Sequence, residues 1–360
     1  MNSSVSVKSS DLSPSNLTVL DSVPAPRRLP SPLQLKSQLP LDLALTEQVS
    51  AHRRAIRAIL NGDDSRLLVI VGPCSIHDPH SALEYAQRLA DLAAQVSDQM
   101  LLVMRAYVEK PRTTVGWKGL AYDPQLDGSD DMAGGLTLSR QLMREMLRLG
   151  LPIATEILQP MAAGYFDDLL GWVAIGARTT ESQIHREMAS GLPMPVGFKN
   201  GTDGGVAVAS DAMRSAAHPH RHFGMDRQGH PAIIETQGNR DTHIVLRGGH
   251  GGPNYDSQSV ARIRGSLEKN ALSARIMVDC SHANSGKDPL RQPQVFRDVL
   301  AQRLQGDTSL VGMMLESHLF EGCQPLSESL RYGVSVTDGC LGWDDTEHLL
   351  RDAVDKLRYR

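Results

Sequence analysis

The sequence predicts an α/β protein with a (β/α)8 TIM barrel architecture. Eight short apolar runs recur along the chain, and each is followed by a segment with helical periodicity. The runs are continuously apolar rather than alternating, which is typical of strands covered on both faces of a parallel sheet. An open doubly wound sheet is the alternative, but no GxGxxG motif follows any run. The count of eight strand–helix pairs favours the barrel.

The N-terminal segment differs from the rest of the chain. Residues 1–40 are rich in Ser and Pro with little periodicity, so we predict a flexible arm, and residues 41–360 are predicted to form one catalytic barrel domain. A first helix is expected over about 44–61, because Asn61-Gly62 is a helix-stop signal. The predicted strands cover residues 67–71, 101–108, 152–158, 171–177, 195–199, 242–248, 275–280 and 310–317.

The helices between these strands have recognisable starts and stops. The clearest begins after the N-cap Asp78 with Pro79 in its first turn, and the next is ended by Gly150 and Pro152. Further helices are expected near 160–169, 181–190, 205–217, 257–270, 290–304 and 345–358. Two insertions interrupt the pattern: residues 109–132, and residues 218–237 before strand 6, which we predict to be a β-hairpin.

Composition limits the classes of function. A hydrophobic fraction of 41% suffices for a large core, and a net charge of −4 argues against general nucleic-acid binding. No run reaches the roughly 18 apolar residues of a membrane span, and the N-terminus lacks the apolar core of a signal peptide. The cysteines show no CxxC spacing: Cys74, Cys280, Cys323 and Cys340. We therefore expect a cytoplasmic protein that binds neither nucleic acid nor membrane.

Positive charges stand at the ends of the predicted strands, where the active site of a barrel forms. They are Arg105, Lys110, Arg112, Arg178, Lys199 and Arg247. An unpaired charge at the end of an apolar strand is costly to desolvate, so these side chains need anionic partners. Acidic neighbours could supply some, but six converging cations suit phosphate groups, which carry nearly two negative charges each. The sequence therefore predicts a site for small phosphorylated substrates.

A second set of polar residues also follows the strands: Cys74, His282, Glu316 and Asp338. Thiolate, imidazole and carboxylate together suit one borderline divalent ion such as Mn²⁺, Fe²⁺, Co²⁺ or Zn²⁺. The structural alternatives are a small core cysteine, a histidine at a helix start and an aspartate in a turn. The position of all four residues after strand ends favours the metal site.

Ten sequence blocks resemble the feedback-regulated microbial branch of the type I 3-deoxy-D-arabino-heptulosonate 7-phosphate (DAHP) synthases. They span roughly residues 40–357 and include VGPCSIHD, EKPRTTVGWKGL, ATEIL, GARTTESQ, PVGFKNGTDGG, MVDCSHANSGKD and YGVSVTDGCLGW. The resemblance implies a metal-dependent, aldol-like condensation of phosphoenolpyruvate with erythrose 4-phosphate that releases phosphate. This is the first step of the shikimate pathway towards chorismate and the aromatic amino acids. It also implies a barrel with an N-terminal extension and an inserted hairpin, in a homodimer or homotetramer.

The resemblance assigns roles to individual residues. The implied metal ligands are Cys74, His282, Glu316 and Asp338. The implied phosphoenolpyruvate-binding residues are Arg105, Lys110, Glu156, Gly176, Ala177, Arg178, Lys199 and Arg247. Erythrose 4-phosphate is expected at Lys110, Pro111, Arg112 and Thr113. Catalysis is expected from Lys110 as proton donor, from His282, and from Glu156 or a metal-bound water as candidate base.

The same resemblance implies regulation by an aromatic amino acid bound near the hairpin. REMASGLPMP resembles the tyrosine-sensitive subtype, whereas Pro193 and the histidine-rich hairpin depart from the family pattern. Two other functions compete. A related eight-carbon sugar-acid synthase would use arabinose 5-phosphate, but EKPRTTVGWKGL argues against it. A catalytically silent sensor of an aromatic amino acid would not need the complete set of ligands and cations.

Overall fold

The eight predicted barrel strands form a closed parallel barrel in the computed structural model, which describes residues 26–359. The strands are β1 (Leu67–Gly72), β2 (Met100–Arg105), β3 (Ile153–Glu156), β4 (Trp172–Ile175), β5 (Val196–Lys199), β8 (Thr242–Leu246), β9 (Ile276–Asp279) and β10 (Leu310–Glu316). Their order around the barrel is β1-β10-β9-β8-β5-β4-β3-β2. The antiparallel strands β6 (Arg221–Met225) and β7 (Pro231–Glu235) form the predicted hairpin. The barrel and its inserted hairpin are confirmed.

Helices surround the barrel. They are α1 (Pro32–Gln38), α2 (Leu43–Asn61), α3 (Pro79–Val96), α4 (Met132–Arg148), α5 (Ala163–Phe166), α6 (Gln183–Ala189), α7 (Ala207–Ala216), α8 (Ser257–Lys269), α9 (Gln292–Leu304) and α10 (Trp343–Arg358). Short 3₁₀ turns precede α5 and α9. Residues 106–131 contain no helix or strand, and they include the predicted insertion 109–132 except for its last residue, Met132, which begins α4. None of the helices within residues 26–359 combines the length and apolar character needed to cross a bilayer.

The N-terminal arm is only partly described. Its residues 1–25 lie outside the described part of the chain, whereas residues 32–38 form α1. Ser31 and Gln34 make a reciprocal capping box at its start, and the Leu35 side chain is fully buried. Lys36 forms an ion pair with Asp167. Within the predicted arm, residues 32–38 therefore form a docked helix, which the capping box and this burial stabilise.

Strand register brings the predicted site residues to one end of the barrel. Strand β1 pairs with β10 so that Gly72 lies beside Glu316. Cys74 follows Gly72 by two residues, so it is placed near Glu316. Strand β2 pairs with β3 so that Arg105 lies beside Ala154, two residues before Glu156. Because parallel strands all end at the same rim, the side chains that follow them converge there.

Helix α2 closes the opposite end of the barrel. Its residues Ile56, Ile59 and Leu60 belong to the same buried apolar cluster as Leu68 and Trp172 from the barrel interior. Burial of such side chains contributes about 1.5–3 kcal/mol each. Packing of α2 on this end of the barrel therefore stabilises the strands whose C-terminal ends carry the predicted site residues.

We expect Ile56→Ala to lower the free energy of unfolding by about 2–5 kcal/mol, because it opens a cavity in a fully buried cluster. Urea unfolding followed by circular dichroism measures the change. Leu43→Ala is the control, since Leu43 lies on the same helix with 74% of its surface exposed. Equal effects of the two substitutions would show that α2 does not support the barrel.

Candidate active site at the mouth of the barrel

A cavity of about 190 Å³ lies at the C-terminal ends of the barrel strands. It contains every residue predicted to bind the two phosphorylated substrates. The lining residues are Arg105, Tyr107, Lys110, Pro111, Arg112, Thr113, Glu156, Gly176, Ala177, Arg178, Lys199, Thr202, Arg247, His282, Lys287 and Asp338. Residues separated by more than 200 positions in the chain thus meet in one cavity.

Three of the six predicted cations form ion pairs with carboxylates of the protein. The pairs are Arg105–Glu316 at 2.9 Å, Lys199–Asp279 at 2.8 Å and Lys110–Asp338 at 2.9 Å. Arg105 also donates hydrogen bonds to the carbonyl oxygens of Pro73 and Cys74, and its guanidinium lies over the Tyr107 ring. These contacts hold the inner cations in place before any ligand binds.

The other three predicted cations have no carboxylate within 4.0 Å among the described residues. They are Arg112, Arg178 and Arg247, and the only hydrogen bonds described for their side chains go to carbonyl oxygens. Burial lowers the pKa of Arg247, the charge of Asp279 opposes this, and the charge of Arg178 lowers the pKa further. Positive charge that the protein does not neutralise is a property of phosphate-binding sites.

Three of the four predicted metal ligands lie together at the edge of this cavity. The ligand atoms of Cys74, Glu316 and Asp338 are all within 4.8 Å of one another. Burial and the nearby charge of Glu316 raise the pKa of the Cys74 thiol to about 11. A buried sulfur between two carboxylates is a donor set that suits a borderline divalent cation, whose charge would also favour the thiolate. The donor set therefore fits a metal ion.

His282 lies in the same cavity but outside this group of three. Its Nδ1 is 2.9 Å from Asp279 Oδ2 and 2.7 Å from Ser281 Oγ. Histidines that bind metals in proteins commonly direct their second ring nitrogen to a carboxylate in this way. The contact leaves Nε2 for a ligand, and the ligand role of His282 stays a prediction.

Glu156 is buried at the end of β3, directly against the backbone of Gly176. A Cβ atom at Gly176 would collide with the Glu156 carboxylate, so any larger residue at this position would displace the Glu156 side chain. The adjoining Glu109 accepts hydrogen bonds from the backbone nitrogens of Leu158 and Gln159. Burial outweighs these bonds and raises the pKa of Glu109 to about 7.

Sequence reasoning missed three residues that line the cavity: Tyr107, Thr202 and Lys287. Tyr107 follows Arg105 inside a run that looks like a continuation of β2. Thr202 and Lys287 lie in glycine-containing loops that follow β5 and β9. All three residues follow the ends of barrel strands, and this position could have identified them as candidate cavity residues.

The family model of the DAHP synthetase I family matches residues 42–351. The chain belongs to this family. The tyrosine-sensitive phospho-2-dehydro-3-deoxyheptonate aldolase of Escherichia coli K12 is 55% identical over 90% of this chain and 92% of its own length. The phenylalanine-sensitive enzyme of the same organism is 48% identical over 93% of this chain and 96% of its own length. The family membership predicted from the sequence blocks is confirmed.

A solved structure has the same fold as this chain. The phospho-2-dehydro-3-deoxyheptonate aldolase of Francisella tularensis SCHU S4 superimposes with a TM-score of 0.92 at 42% identity. The alignment covers 94% of this chain and 99% of that one. The likeness therefore extends to the hairpin and the helices outside the barrel.

A second cavity, of about 640 Å³, lies between the hairpin, α1, α5 and α6. Its apolar lining includes Met161, Ile184, Met188, Leu192, Met225 and Ile234. Charged groups from Lys36, Asp167 and Arg227 stand at the same cavity. The His185 ring also lines it and contacts the Leu158 carbonyl oxygen at 2.7 Å, which connects this cavity to the end of β3. The lining suits a small zwitterion with an apolar side chain. Pro193 lies outside this lining.

Proposed function

We propose that the chain catalyses the condensation of phosphoenolpyruvate with erythrose 4-phosphate to give DAHP and inorganic phosphate. The observation that carries the proposal is the cavity at the barrel mouth, which is lined by three arginines without carboxylate partners and borders a sulfur and carboxylate ligand group through Asp338. The close relatives named phospho-2-dehydro-3-deoxyheptonate aldolase support it.

Phosphoenolpyruvate is bound by the cations on the side of β4, β5 and β8. Arg178 and Arg247 supply charge that the protein leaves unneutralised, which suits the phosphate group. Lys199 and Arg105 are fixed by buried carboxylates and complete the clamp, with Lys110 at its edge. The backbone at Gly176 and Ala177 and the side chain of Glu156 border the same space. Holding both anionic ends fixes the enol carbon towards the second substrate.

Erythrose 4-phosphate binds along Lys110, Pro111, Arg112 and Thr113, which line the same cavity. Cys74, His282, Glu316 and Asp338 would hold a divalent ion, and this ion when bound supplies Lewis-acid polarisation of the aldehyde. Lys110 Nζ, 2.9 Å from Asp338 Oδ2, donates a proton to the oxygen that develops negative charge as the new carbon–carbon bond forms. Water then adds at C2 of the former enol with Glu156 as base, and the C2–O bond to phosphate breaks.

The decisive assay follows the loss of phosphoenolpyruvate absorbance with erythrose 4-phosphate or arabinose 5-phosphate, with and without a chelator. The proposal is supported if phosphoenolpyruvate is consumed with erythrose 4-phosphate but not with arabinose 5-phosphate. The chelator should abolish this turnover, and a divalent ion should restore it. Preference for arabinose 5-phosphate would instead indicate the eight-carbon synthase. Absence of turnover with either aldose would indicate the silent sensor. Comparing Mn²⁺, Fe²⁺, Co²⁺ and Zn²⁺ in the restoration step identifies the metal.

Feedback inhibition by an aromatic amino acid, tyrosine in the first place, is the second part of the proposed function. The cavity between the hairpin and α6 combines charged and apolar groups that fit such a ligand. The tyrosine-sensitive relative at 55% identity and the phenylalanine-sensitive relative at 48% support the order of preference. The homo-oligomeric assembly and the cytoplasmic location stay predictions.

We expect Ile234→Trp to abolish feedback inhibition and to leave kcat within about twofold, because the larger side chain fills the second cavity. Ile233→Trp is the matched control, since this neighbour on β7 is 73% exposed and does not line the cavity. Inhibition curves with tyrosine, phenylalanine and tryptophan measure the effect. Unchanged inhibition of the Ile234→Trp variant would place the effector elsewhere.

A further inference from the structure

Lys287 is an exposed lysine in the loop that connects β9 to α9, and it lines the substrate cavity. It also borders a smaller cavity formed with Glu316, Asp338 and Gln292. Lys287 therefore borders both cavities, each of which also contains Asp338 of the predicted ligand group. Within residues 26–359 the Lys287 side chain forms no ion pair within 4.0 Å, although carboxylates line the neighbouring cavity.

The loop holds Lys287 in a defined backbone conformation. Lys287 has a φ of 63°, and its backbone nitrogen donates to the His282 carbonyl oxygen at 2.6 Å. His282 itself has a φ of 55°, so two non-glycine residues of one loop adopt the left-handed conformation. The buried Asn284 side chain fixes the loop to the carbonyl oxygens of Leu246 and Asp279. Strained conformations of this kind persist where the surroundings impose them, commonly at functional sites.

The cations of the cavity divide into two groups by their partners. Arg105, Lys110 and Lys199 are each paired with a carboxylate. Among the described residues that line the cavity, four other cations have no carboxylate partner: Arg112, Arg178, Arg247 and Lys287. Two substrate phosphates, each with nearly two negative charges, would match four such cations.

The positions of the four cations indicate how they are shared. Arg178 follows β4 and Arg247 follows β8, the two strands on either side of β5, and both line the part of the cavity that the proposed function assigns to phosphoenolpyruvate. Arg112 belongs to the stretch assigned to erythrose 4-phosphate. With Arg112 alone, the phosphate of this substrate would keep about one uncompensated negative charge. Lys287 is the remaining cation.

We propose that Lys287 binds the phosphate group of the sugar phosphate together with Arg112. The proposal rests on the proposed function and adds a residue that determines specificity for a phosphorylated aldose. The lysine supplies a mobile point charge on a fixed loop, whereas Arg112 supplies the planar guanidinium. Neither residue needs to contact the reacting carbon atoms.

The test is the steady-state kinetics of Lys287→Asn, with Lys287→Arg as the charge-conserving variant. Asn is chosen because it tolerates a positive φ, so the loop conformation is retained. We expect KM for erythrose 4-phosphate to rise about 10- to 100-fold in Lys287→Asn, while KM for phosphoenolpyruvate stays within about twofold. Lys287→Arg should recover most of the loss. Lys269→Asn, an exposed lysine at the end of α8, controls for the general loss of a positive charge.

Unchanged KM values in Lys287→Asn would overturn the proposal, as would an equal or larger rise in KM for phosphoenolpyruvate. A fall in kcat with both KM values unchanged would also overturn it. The wild-type protein separates this proposal from the proposed function. If wild type forms no DAHP, the proposed function fails, whereas an active wild type with a kinetically identical Lys287→Asn variant rejects only the role of Lys287.

Discussion

Cys74→Ala is expected to lower kcat/KM by at least about 10³-fold, equivalent to about 4 kcal/mol of transition-state stabilisation. Cys74 supplies the sulfur of the ligand group formed with Glu316 and Asp338. Removing it leaves two carboxylates and the nearby His282, which bind a borderline divalent ion more weakly than a site with a thiolate. The fold should persist, since alanine fits the space and leaves no unpaired charge. The assay of phosphoenolpyruvate loss measures the activity.

Binding of Co²⁺ gives a second readout that does not depend on turnover. The thiolate-to-cobalt absorption band should be present in wild type and absent in Cys74→Ala. Cys280→Ala is the matched control, because Cys280 is also fully buried but lies outside the ligand group and the cavity lining. Full activity with bound metal in Cys74→Ala would remove this cysteine from the ligand set.

The barrel was predictable from the sequence because its strands are continuously apolar. The residues at which the strands end were not predictable. The sequence predicted strand 2 over residues 101–108, whereas β2 ends at Arg105. Residues 106–108 are buried but lie beyond the strand, although Ala106 still donates a backbone hydrogen bond to the Ala154 carbonyl oxygen of β3. Apolar sequence reports burial, while a strand also needs a hydrogen-bonded neighbour, and β3 pairs with β2 only at Met104 and Arg105.

The convergence of the cations was predictable from their positions, but their partners were not. Asp279 lies near the end of the apolar run RIMVDC, and the sequence indicates only that it is close to the end of a strand. In the fold it is fully buried and contacts both Lys199 and His282. Burial disfavours its ionisation, but the charges of His282 and Lys199 lower the pKa of Asp279 well below its ordinary value. Pairing across strands depends on register, which a single sequence does not specify.

Helix α1 shows the same limit for secondary structure. A Ser31–Gln34 capping box begins this helix, but a helix of seven residues is not stable alone. Its stability depends on tertiary contacts, including the buried Leu35 and the hydrogen bond from Tyr165 Oη to the Pro30 carbonyl oxygen. Local composition therefore indicated a flexible arm where long-range packing produces a helix.

Lys110→Met is expected to lower kcat by about 10²- to 10⁴-fold, the range that a positioned proton donor contributes. Lys110 Nζ lies 2.8 Å from Cys74 Sγ and 2.9 Å from Asp338 Oδ2. Burial alone would lower the pKa of Lys110, but the negative charges around it raise the pKa by more, so the side chain keeps its proton. Methionine is an unbranched side chain one atom shorter than lysine, so it keeps the apolar stem while removing both the charge and the proton.

The measurement for Lys110 separates chemistry from binding. Single-turnover experiments with saturating phosphoenolpyruvate report the rate of carbon–carbon bond formation, and equilibrium binding of phosphoenolpyruvate reports the integrity of the clamp. Lys118→Met is the control, because Lys118 lies in the same loop with an exposed side chain outside the cavity lining. A slow single turnover with nearly normal binding supports proton donation. If Lys110→Met only weakened phosphoenolpyruvate binding at an unchanged chemical rate, Lys110 would be a binding residue, and Glu156 or a bound water would have to protonate the new hydroxyl group.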